Sequence, residues 1–191
     1  MGYTAMMRAY PAVLVLIALT ALAPLHATVV VPAEFREVVA GSALIAHGRV
    51  IDVQAEWADG RRRIDSVVTM NVLSWFKGGT ASTLSFVVPG GEIGRYRHVL
   101  VGAPVFRRGD EAFLFLKEEG SPLPYVFGLN QGVFRVRADE RGVRMVTSPA
   151  LLAHGDEPEV VRRGALSRQP VALAAFGSQI RSVLAARAGA R

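Results

Sequence analysis

Alternating apolar and polar residues run through the middle of the chain. Within residues 64–76, Val68, Met70 and Val72 alternate with polar residues such as Thr69. A two-residue period places successive side chains on opposite faces of a β-strand, so one face packs into a core while the other meets water. The pattern predicts a sheet whose strands are buried on one face.

Three other segments extend this predicted sheet. Residues 84–88 alternate in the same way, and residues 112–116 form an unbroken apolar run that is typical of a central strand buried on both faces. Residues 43–53 are strand-like throughout, with Gly48 in the middle. A glycine inside a long strand often marks a bulge, at which a sheet bends towards a barrel.

The later strands are expected to be short. Residues 125–129 are predicted to pair with residues 133–137 as a hairpin across a link that contains Gly132, and residues 143–146 to add an edge strand. Short links favour antiparallel neighbours. The predicted fold is therefore a small antiparallel OB-like β-barrel of five or six strands, with a β-sandwich as the alternative.

Two helices are predicted at the ends of the folded region. Pro32 opens a short helix at residues 33–40, and Pro170 opens a second helix at residues 170–191. The second helix carries one apolar stripe. The stripe consists of Leu173, Phe176, Ile180, Val183 and Leu184. If this stripe only leans on the barrel, deleting the helix should leave a folded domain.

Composition divides the chain into four parts. Residues 1–27 precede the predicted β-barrel domain at residues 28–147, and proline, glycine and charged residues dominate residues 148–169. The latter composition is typical of a linker. The basic amphipathic helix at residues 170–191 forms the last part.

The net charge of +6 comes from the C-terminal region. Residues 28–159 hold fifteen Lys and Arg against sixteen Asp and Glu, whereas residues 160–191 hold six Arg and no acid. A basic tail of this kind is typical of a solvated helix face, and the barrel region lacks basic residues interleaved with stacking aromatics. We therefore expect no nucleic-acid partner.

The first 27 residues have the organisation of a secretory signal peptide. Arg8 is followed by a charge-free apolar segment at residues 12–23, and Ala27 suits the cleavage position. That segment spans only about 18 Å as a helix, against about 30 Å for a bilayer core, so no stable membrane span is expected. The sequence predicts an exported protein, periplasmic or secreted, that is cleaved near Ala27. The chain has no cysteine, so its core must stabilise it without disulfides.

A series of turns and strand ends follows one order along the chain. It consists of Val31-Pro32, Phe35, residues 43–53, Trp75-Phe76-Lys77-Gly78, Val88-Pro89-Gly90-Gly91, Gly102-Ala103-Pro104 and Gly109-Asp110. This order resembles that of uncharacterised exported bacterial proteins, whose barrel is similar to netrin-like domains and tissue inhibitors of metalloproteinases. The resemblance covers about residues 31–137 and implies an OB-like barrel. In the inhibitors an N-terminal cysteine chelates the zinc of the target. This chain has Ala27 or Thr28 there, so no functional residue is transferred.

The sequence assigns no catalytic residue, metal ligand or cofactor. His47, His98 and His154 fall on a strand, a loop and the linker, without the spacing of a metal site. Motifs for a serine nucleophile, a zinc protease and a phosphate loop are missing from the sequence. Asp52 and Asp65 are expected to pair with nearby arginines at the strand ends rather than to act as an acid–base pair.

The longest polar insertion between predicted core strands is at residues 92–98. Arginine and tyrosine are frequent at interface hot spots, so we expect this loop to contact a protein partner. In the alternative, Tyr96 packs over a barrel end and the arginines are solvated. The expected contact residues are Glu92, Arg95, Tyr96, Arg97 and His98.

These observations favour an exported, non-catalytic protein-interaction module. The resemblance implies a second hypothesis, an inhibitor or companion of an exported protease such as a metalloprotease. A hydrolase is the third, because barrel loops can assemble catalytic groups without a local motif.

Overall fold

The computed structural model describes residues 32–149, 152–153 and 169–189. The predicted signal peptide, His154 and most of the predicted linker lie outside the described residues. Two helices are described, α1 (Phe35–Gly41) and α2 (Leu173–Ala188). The strands are β1 (Ala33–Glu34), β2 (Leu44–Ala58), β3 (Arg63–Lys77), β4 (Thr83–Pro89), β5 (Gly91–Ile93), β6 (Tyr96–His98), β7 (Glu111–Lys117), β8 (Tyr125–Val126), β9 (Val133–Ala138), β10 (Arg144–Thr147), β11 (Leu152–Ala153) and β12 (Val171–Ala172).

Five of these strands close a mixed β-barrel. The order around the barrel is β2, β3, β4, β8 and β7, and β7 returns to β2. Every neighbouring pair is antiparallel except β4 and β8, which run parallel. A small closed barrel of five strands is OB-like, so the predicted fold is confirmed over the β-sandwich. Strands β9, β10 and β12 extend the sheet outward from β7.

A close approach of two backbones at Gly48 bends β2 against β3. The pairing register of the two strands shifts between His47 and Gly48. A Cβ atom at Gly48 would lie 2.4 Å from the carbonyl oxygen of Asn71, so only glycine fits there. The irregularity predicted from this glycine is confirmed, and it helps β2 to curve around the barrel.

The sheet separates two apolar clusters, and β7 contributes to both. Ala112, Leu114 and Leu116 point into the barrel, whereas Phe113 and Phe115 point to the other face of the sheet. Burial on both faces explains why β7 reads as a continuous apolar run. The prediction of a central strand at residues 112–116 is confirmed.

Helices α1 and α2 cover the second cluster. The ring centroid of Phe176 on α2 lies 4.9 Å from those of Phe113 and Phe134, and Ile180 is fully buried. Strand β12, directly before α2, pairs with β10, so β10 is not the edge strand that was predicted. Helix α2 is therefore part of the core.

The predicted hairpin between residues 125–129 and 133–137 is wrong. Strand β8 has only two residues, which pair with β4 and β7, while β9 pairs with β7 and β10. The Phe127 amide donates to the carbonyl of Phe115, and Gly128 and Leu129 have positive φ. The chain thus turns away after β8, because β8 is used to close the barrel.

Candidate functional site

The predicted contact loop is a two-stranded hairpin, β5–β6, that follows β4. Glu92 lies directly opposite Arg97, and Ile93 lies opposite Tyr96. Gly94 occupies the turn with φ of 58°, a conformation that favours glycine. The hairpin brings the five predicted contact residues together on one small element.

The backbone of β3 holds the base of the hairpin. The Gly90 amide donates to the Ile64 carbonyl at 3.0 Å, and His98 Nδ1 donates to the same carbonyl at 3.1 Å. The Ser66 hydroxyl donates to the Gly90 carbonyl at 2.7 Å. His98 therefore anchors the hairpin through its ring.

At the tip of the hairpin, Arg95 and Tyr96 form a cation–π contact. The Tyr96 side chain is half exposed, and its ring packs edge-on against Trp57 at the end of β2. The Arg95 guanidinium lies 5.1 Å from the Tyr96 ring centroid and donates to its hydroxyl at 3.0 Å. Glu92 and Arg97 are exposed, and within the described residues neither side chain makes a hydrogen bond or ion pair.

An apolar pocket of about 490 Å³ lies beside the hairpin. Its lining includes Val68 and Val88 from the barrel strands and Phe106, whose ring meets Phe86 edge-on. The segment at residues 99–106, here called the strap, covers one side of the pocket.

The strap carries an exposed apolar rim that the sequence reading missed. Val101 is 90 % exposed. The other exposed apolar residues of the rim are Val99, Leu100 and Val105. The signal in the sequence is the Val99-Leu100-Val101 run, and three residues are too few to predict an element or a binding surface. Exposed apolar residues grouped at a pocket are typical of a binding surface.

Arg135 on β9 anchors the end of the strap. Its guanidinium pairs with the Asp110 carboxylate at 3.1 Å and donates to the Val105 carbonyl. It also lies 5.1 Å from the ring centroid of Phe106. The rim valines are thus carried on a segment fixed at its C-terminal end.

The hairpin, the strap and the turn that follows the strap together carry an excess of positive charge. Residues 91–109 contain four arginines and a single carboxylate, Glu92. The arginines are Arg95, Arg97, Arg107 and Arg108. Arg108 lies 3.7 Å from Asp52, and the side chains of the other three have no carboxylate partner among the described residues. The surface therefore favours an anionic partner.

A buried polar cluster lies on the helix-covered side of the sheet. His47 Nε2 donates to Glu111 Oε1 at 2.8 Å, and the His47 ring stacks on Phe113 with centroids 4.4 Å apart. Arg49 and Arg144 each donate to the Glu111 carboxylate at 2.9 Å.

The protonation states within this cluster follow from its surroundings. Burial lowers the pKa of His47 below its ordinary value, and this outweighs the rise caused by the hydrogen bond to Glu111. Burial alone would raise the pKa of Glu111, but the hydrogen bonds from Arg49 and His47 hold it below its ordinary value. At neutral pH the imidazole is therefore neutral and the carboxylate is ionised.

The two aspartates considered as an acid–base pair each pair with an arginine instead. Asp65 accepts from Arg63 at 3.1 Å, and Asp52 lies near Arg108. Within the described ranges there is no group of three or more His, Asp or Glu residues suited to a metal ion.

Comparisons with known proteins find no matching family model, no matching curated protein and no matching solved structure. Neither α1 nor α2, the helices in the part of the chain that the structure describes, has the length and hydropathy to span a bilayer.

Proposed function

We propose that this protein is an exported interaction module that binds an acidic segment of a partner protein in the pocket beside the β5–β6 hairpin. The observation that carries the proposal is the exposed apolar rim of the strap, which borders a pocket of about 490 Å³. Burying such a rim against a partner releases its apolar surface from water.

The positive charge beside the pocket favours a partner segment that carries negative charge. Arg95 and Arg97 lie on the hairpin next to the pocket, and their charges have no carboxylate ion pair among the described residues. An apolar side chain seated in the pocket and flanked by Asp or Glu would meet both features of the surface. Such complementarity mainly increases specificity and the rate of association.

The chemistry of the pocket favours binding over catalysis. Ser66, the hydroxyl-bearing residue among the described lining residues, is engaged with the Gly90 carbonyl. His98 is engaged with the Ile64 carbonyl. Among the described residues, neither hydrogen bond is the one between a nucleophile and its general base by which covalent catalysis activates a hydroxyl.

Two labelled peptides of equal length test the proposal by fluorescence anisotropy with the full-length chain. One carries a leucine or phenylalanine flanked by Asp and Glu, and the other carries Lys in place of the acids. We expect saturable binding of the acidic peptide that weakens as salt is added, because exposed charges are screened. Equal binding of both peptides, or of neither, would contradict the proposal.

A matched pair of valine variants locates the site. Val101→Asp places a charge on the apolar rim and should weaken peptide binding about tenfold or more, the effect typical of a hot-spot residue. Val143→Asp changes another exposed valine that does not line the pocket, so it should bind like the wild type. Equal loss in both variants would exclude the strap as the contact surface.

The resemblance to tissue inhibitors of metalloproteinases supports a second candidate, an inhibitor of an exported protease, and the observation that favours it is the OB-like barrel. A shared barrel does not carry an activity with it. The test is the residual activity of a metalloprotease with excess protein. Undiminished activity would count against this candidate.

The predicted export and cleavage can be tested by measuring the mass of the exported protein. Expression of the full chain in a bacterial host, followed by intact-mass measurement of the exported fraction, should show loss of residues 1–27. A mass that retains these residues would contradict cleavage near Ala27.

A further inference from the structure

The backbone of the strap, residues 99–106, is joined to the rest of the protein by a single hydrogen bond within the described part of the chain. In that bond the Arg135 guanidinium on β9 donates to the Val105 carbonyl. A second bond lies inside the strap itself, from the Ala103 amide to the Leu100 carbonyl at 3.1 Å. A segment with exposed side chains and few such bonds opens locally at a low cost in free energy. The contact made by Arg135 therefore decides where the strap lies.

Arg135 also contacts the strap through an aromatic ring. Its guanidinium lies 5.1 Å from the ring centroid of Phe106, a favourable cation–π distance. Phe106 is buried and meets Phe86 edge-on, with ring centroids 5.3 Å apart. Phe106 lines the pocket beside the hairpin, whereas Arg135 does not. Arg135 thus holds a residue of the pocket wall from outside the pocket.

Asp110 fixes the Arg135 side chain. Its carboxylate accepts from Arg135 at 3.1 Å and from the Arg107 amide at 2.9 Å. The carbonyl of Asp110 accepts from the Val50 amide on β2, and the Gly109 amide donates to the Val50 carbonyl, each at 2.8 Å. The carboxylate is therefore attached to the barrel. A guanidinium has several donors in one planar fork, so Arg135 can bond this carboxylate and the strap together.

We infer that Arg135 is a positioning residue of the binding pocket, because it holds the strap in the conformation that receives the partner. This inference rests on the proposed function for the identity of the ligand, but the position of the strap can be measured without a ligand. A segment that is already in place does not have to be ordered when the partner binds, which increases affinity. Arg135 therefore acts on affinity through the shape of the pocket.

Binding of the acidic peptide to the full-length chain, measured by fluorescence anisotropy, tests this role. Arg135→Ala should weaken binding about tenfold, since the strap must then be ordered during association. Arg137→Ala is the matched control and should bind like the wild type. Arg137 is exposed on the same face of β9, makes no hydrogen bond or ion pair within the described ranges, and does not line the pocket. Equal weakening in both variants would show a general charge effect and overturn the inference.

Arg135→Lys and added salt separate position from charge. Lysine keeps the charge beside Asp110 but lacks the fork that also reaches Val105, so it should recover only part of the affinity. The difference between Arg135→Ala and the wild type should persist at raised salt, where exposed charges are screened. Full recovery with lysine, or loss of the difference in salt, would assign the effect to charge and overturn the inference.

Hydrogen exchange of the full-length chain without peptide measures the strap directly. The backbone amides of residues 99–106 should exchange faster in Arg135→Ala than in the wild type and in Arg137→Ala. Exchange in β2 and β3 should stay unchanged, because the opening is local. Unchanged exchange in the strap would overturn the inference. Faster exchange throughout the barrel in both Arg135→Ala and Arg135→Lys would also overturn it, since Arg135 would then support the whole fold.

The combined measurements separate a failure of this role from a failure of the proposed function. If the wild type binds neither peptide while the strap of Arg135→Ala exchanges faster, the proposed function fails and the positioning of the strap by Arg135 is supported. If Arg135→Ala binds the acidic peptide as tightly as the wild type does, the proposed function stands and the role of Arg135 is overturned.

Discussion

Tyr96 lies edge-on to Trp57, with ring centroids 5.5 Å apart and ring planes at 67°. The contact joins the β5–β6 hairpin to the far end of β2, beyond the residues of β2 that pair with β7. Tyr96 remains half exposed, so one part of its ring supports the hairpin and another part stays available to a partner.

This contact predicts a modest, measurable coupling. Tyr96→Ala should lower the free energy of unfolding by about 1 kcal/mol, because an aromatic pair contributes about 0.5–1.5 kcal/mol beyond burial. A double-mutant cycle with Trp57→Ala, followed by urea unfolding, measures the coupling. Arg97→Ala is the control, and its free energy of unfolding should stay within about 0.5 kcal/mol of the wild-type value. Additive effects of the two aromatic substitutions would show that the pair does not support the hairpin.

Helix α2 should prove essential to the fold. Phe176→Ala removes a buried ring from the second cluster and should cost about 3–5 kcal/mol of stability. Gln179→Ala, on the exposed side of the same helix, should change stability by less than about 0.5 kcal/mol. Thermal and urea unfolding of the two variants provide the comparison. Similar stability of the two variants would mean that α2 only leans on the barrel.

The His47–Glu111 pair predicts a loss of stability in acid. The pKa of His47 in the folded state is below its ordinary value of 6.5. The neutral imidazole therefore contributes fully to the free energy of unfolding above pH 6.5, and this contribution is lost as the pH falls below 6.5 towards the folded pKa. The pKa of Glu111 in the folded state is below 4.5. The ionised carboxylate therefore adds a second contribution to stability, which is lost as the pH falls through that folded pKa.

Urea unfolding between pH 7 and 5 measures the histidine contribution. His47→Gln keeps a donor for Glu111 and cannot titrate, so the stability of this variant should depend less on pH across that interval. The His98→Gln variant is the control, since His98 bonds to a backbone carbonyl outside the cluster. An unchanged pH dependence in His47→Gln would assign the acid loss to other groups.

Gly48 should not tolerate a side chain. Because its Cβ would lie 2.4 Å from the Asn71 carbonyl oxygen, Gly48→Ala must separate β2 from β3 and should cost about 2 kcal/mol or more. Gly189→Ala, at the end of α2, is the control. The added Cβ would lie 3.9 Å from its nearest neighbour, so the free energy of unfolding should stay within about 0.5 kcal/mol of the wild-type value. The midpoint of urea unfolding distinguishes them, and equal midpoints would contradict the close approach of the two strands.

Local pattern predicted much of the barrel but not its closure. Strands β2, β3, β4 and β7 were recognised because their periodicity and apolar runs report burial directly. Strand β8 has only two residues, and its partners are strands distant in sequence. A two-residue strand carries no periodicity, so its place in the barrel could not be read from the chain.

The candidate site was predicted in part. Residues 92–98 stood out by composition, and the structure arranges them as one hairpin. The pocket beside it is lined by residues of β2, β3 and β4 together with the strap, and Arg135 on β9 holds the strap at Val105. These relations are absent from any local window of sequence.

The sequence by itself determined the β-rich class, the double-sided burial of β7 and the bend at Gly48, because each follows from local side-chain pattern and backbone sterics. Only the tertiary structure decided that β8 closes the barrel, that α2 completes the core, and that Arg49 and Arg144 meet at the buried Glu111 carboxylate. The physical reason is that strand pairing and charge assembly are long-range. They arise when the whole chain buries its apolar surface, and residues distant in sequence then become neighbours.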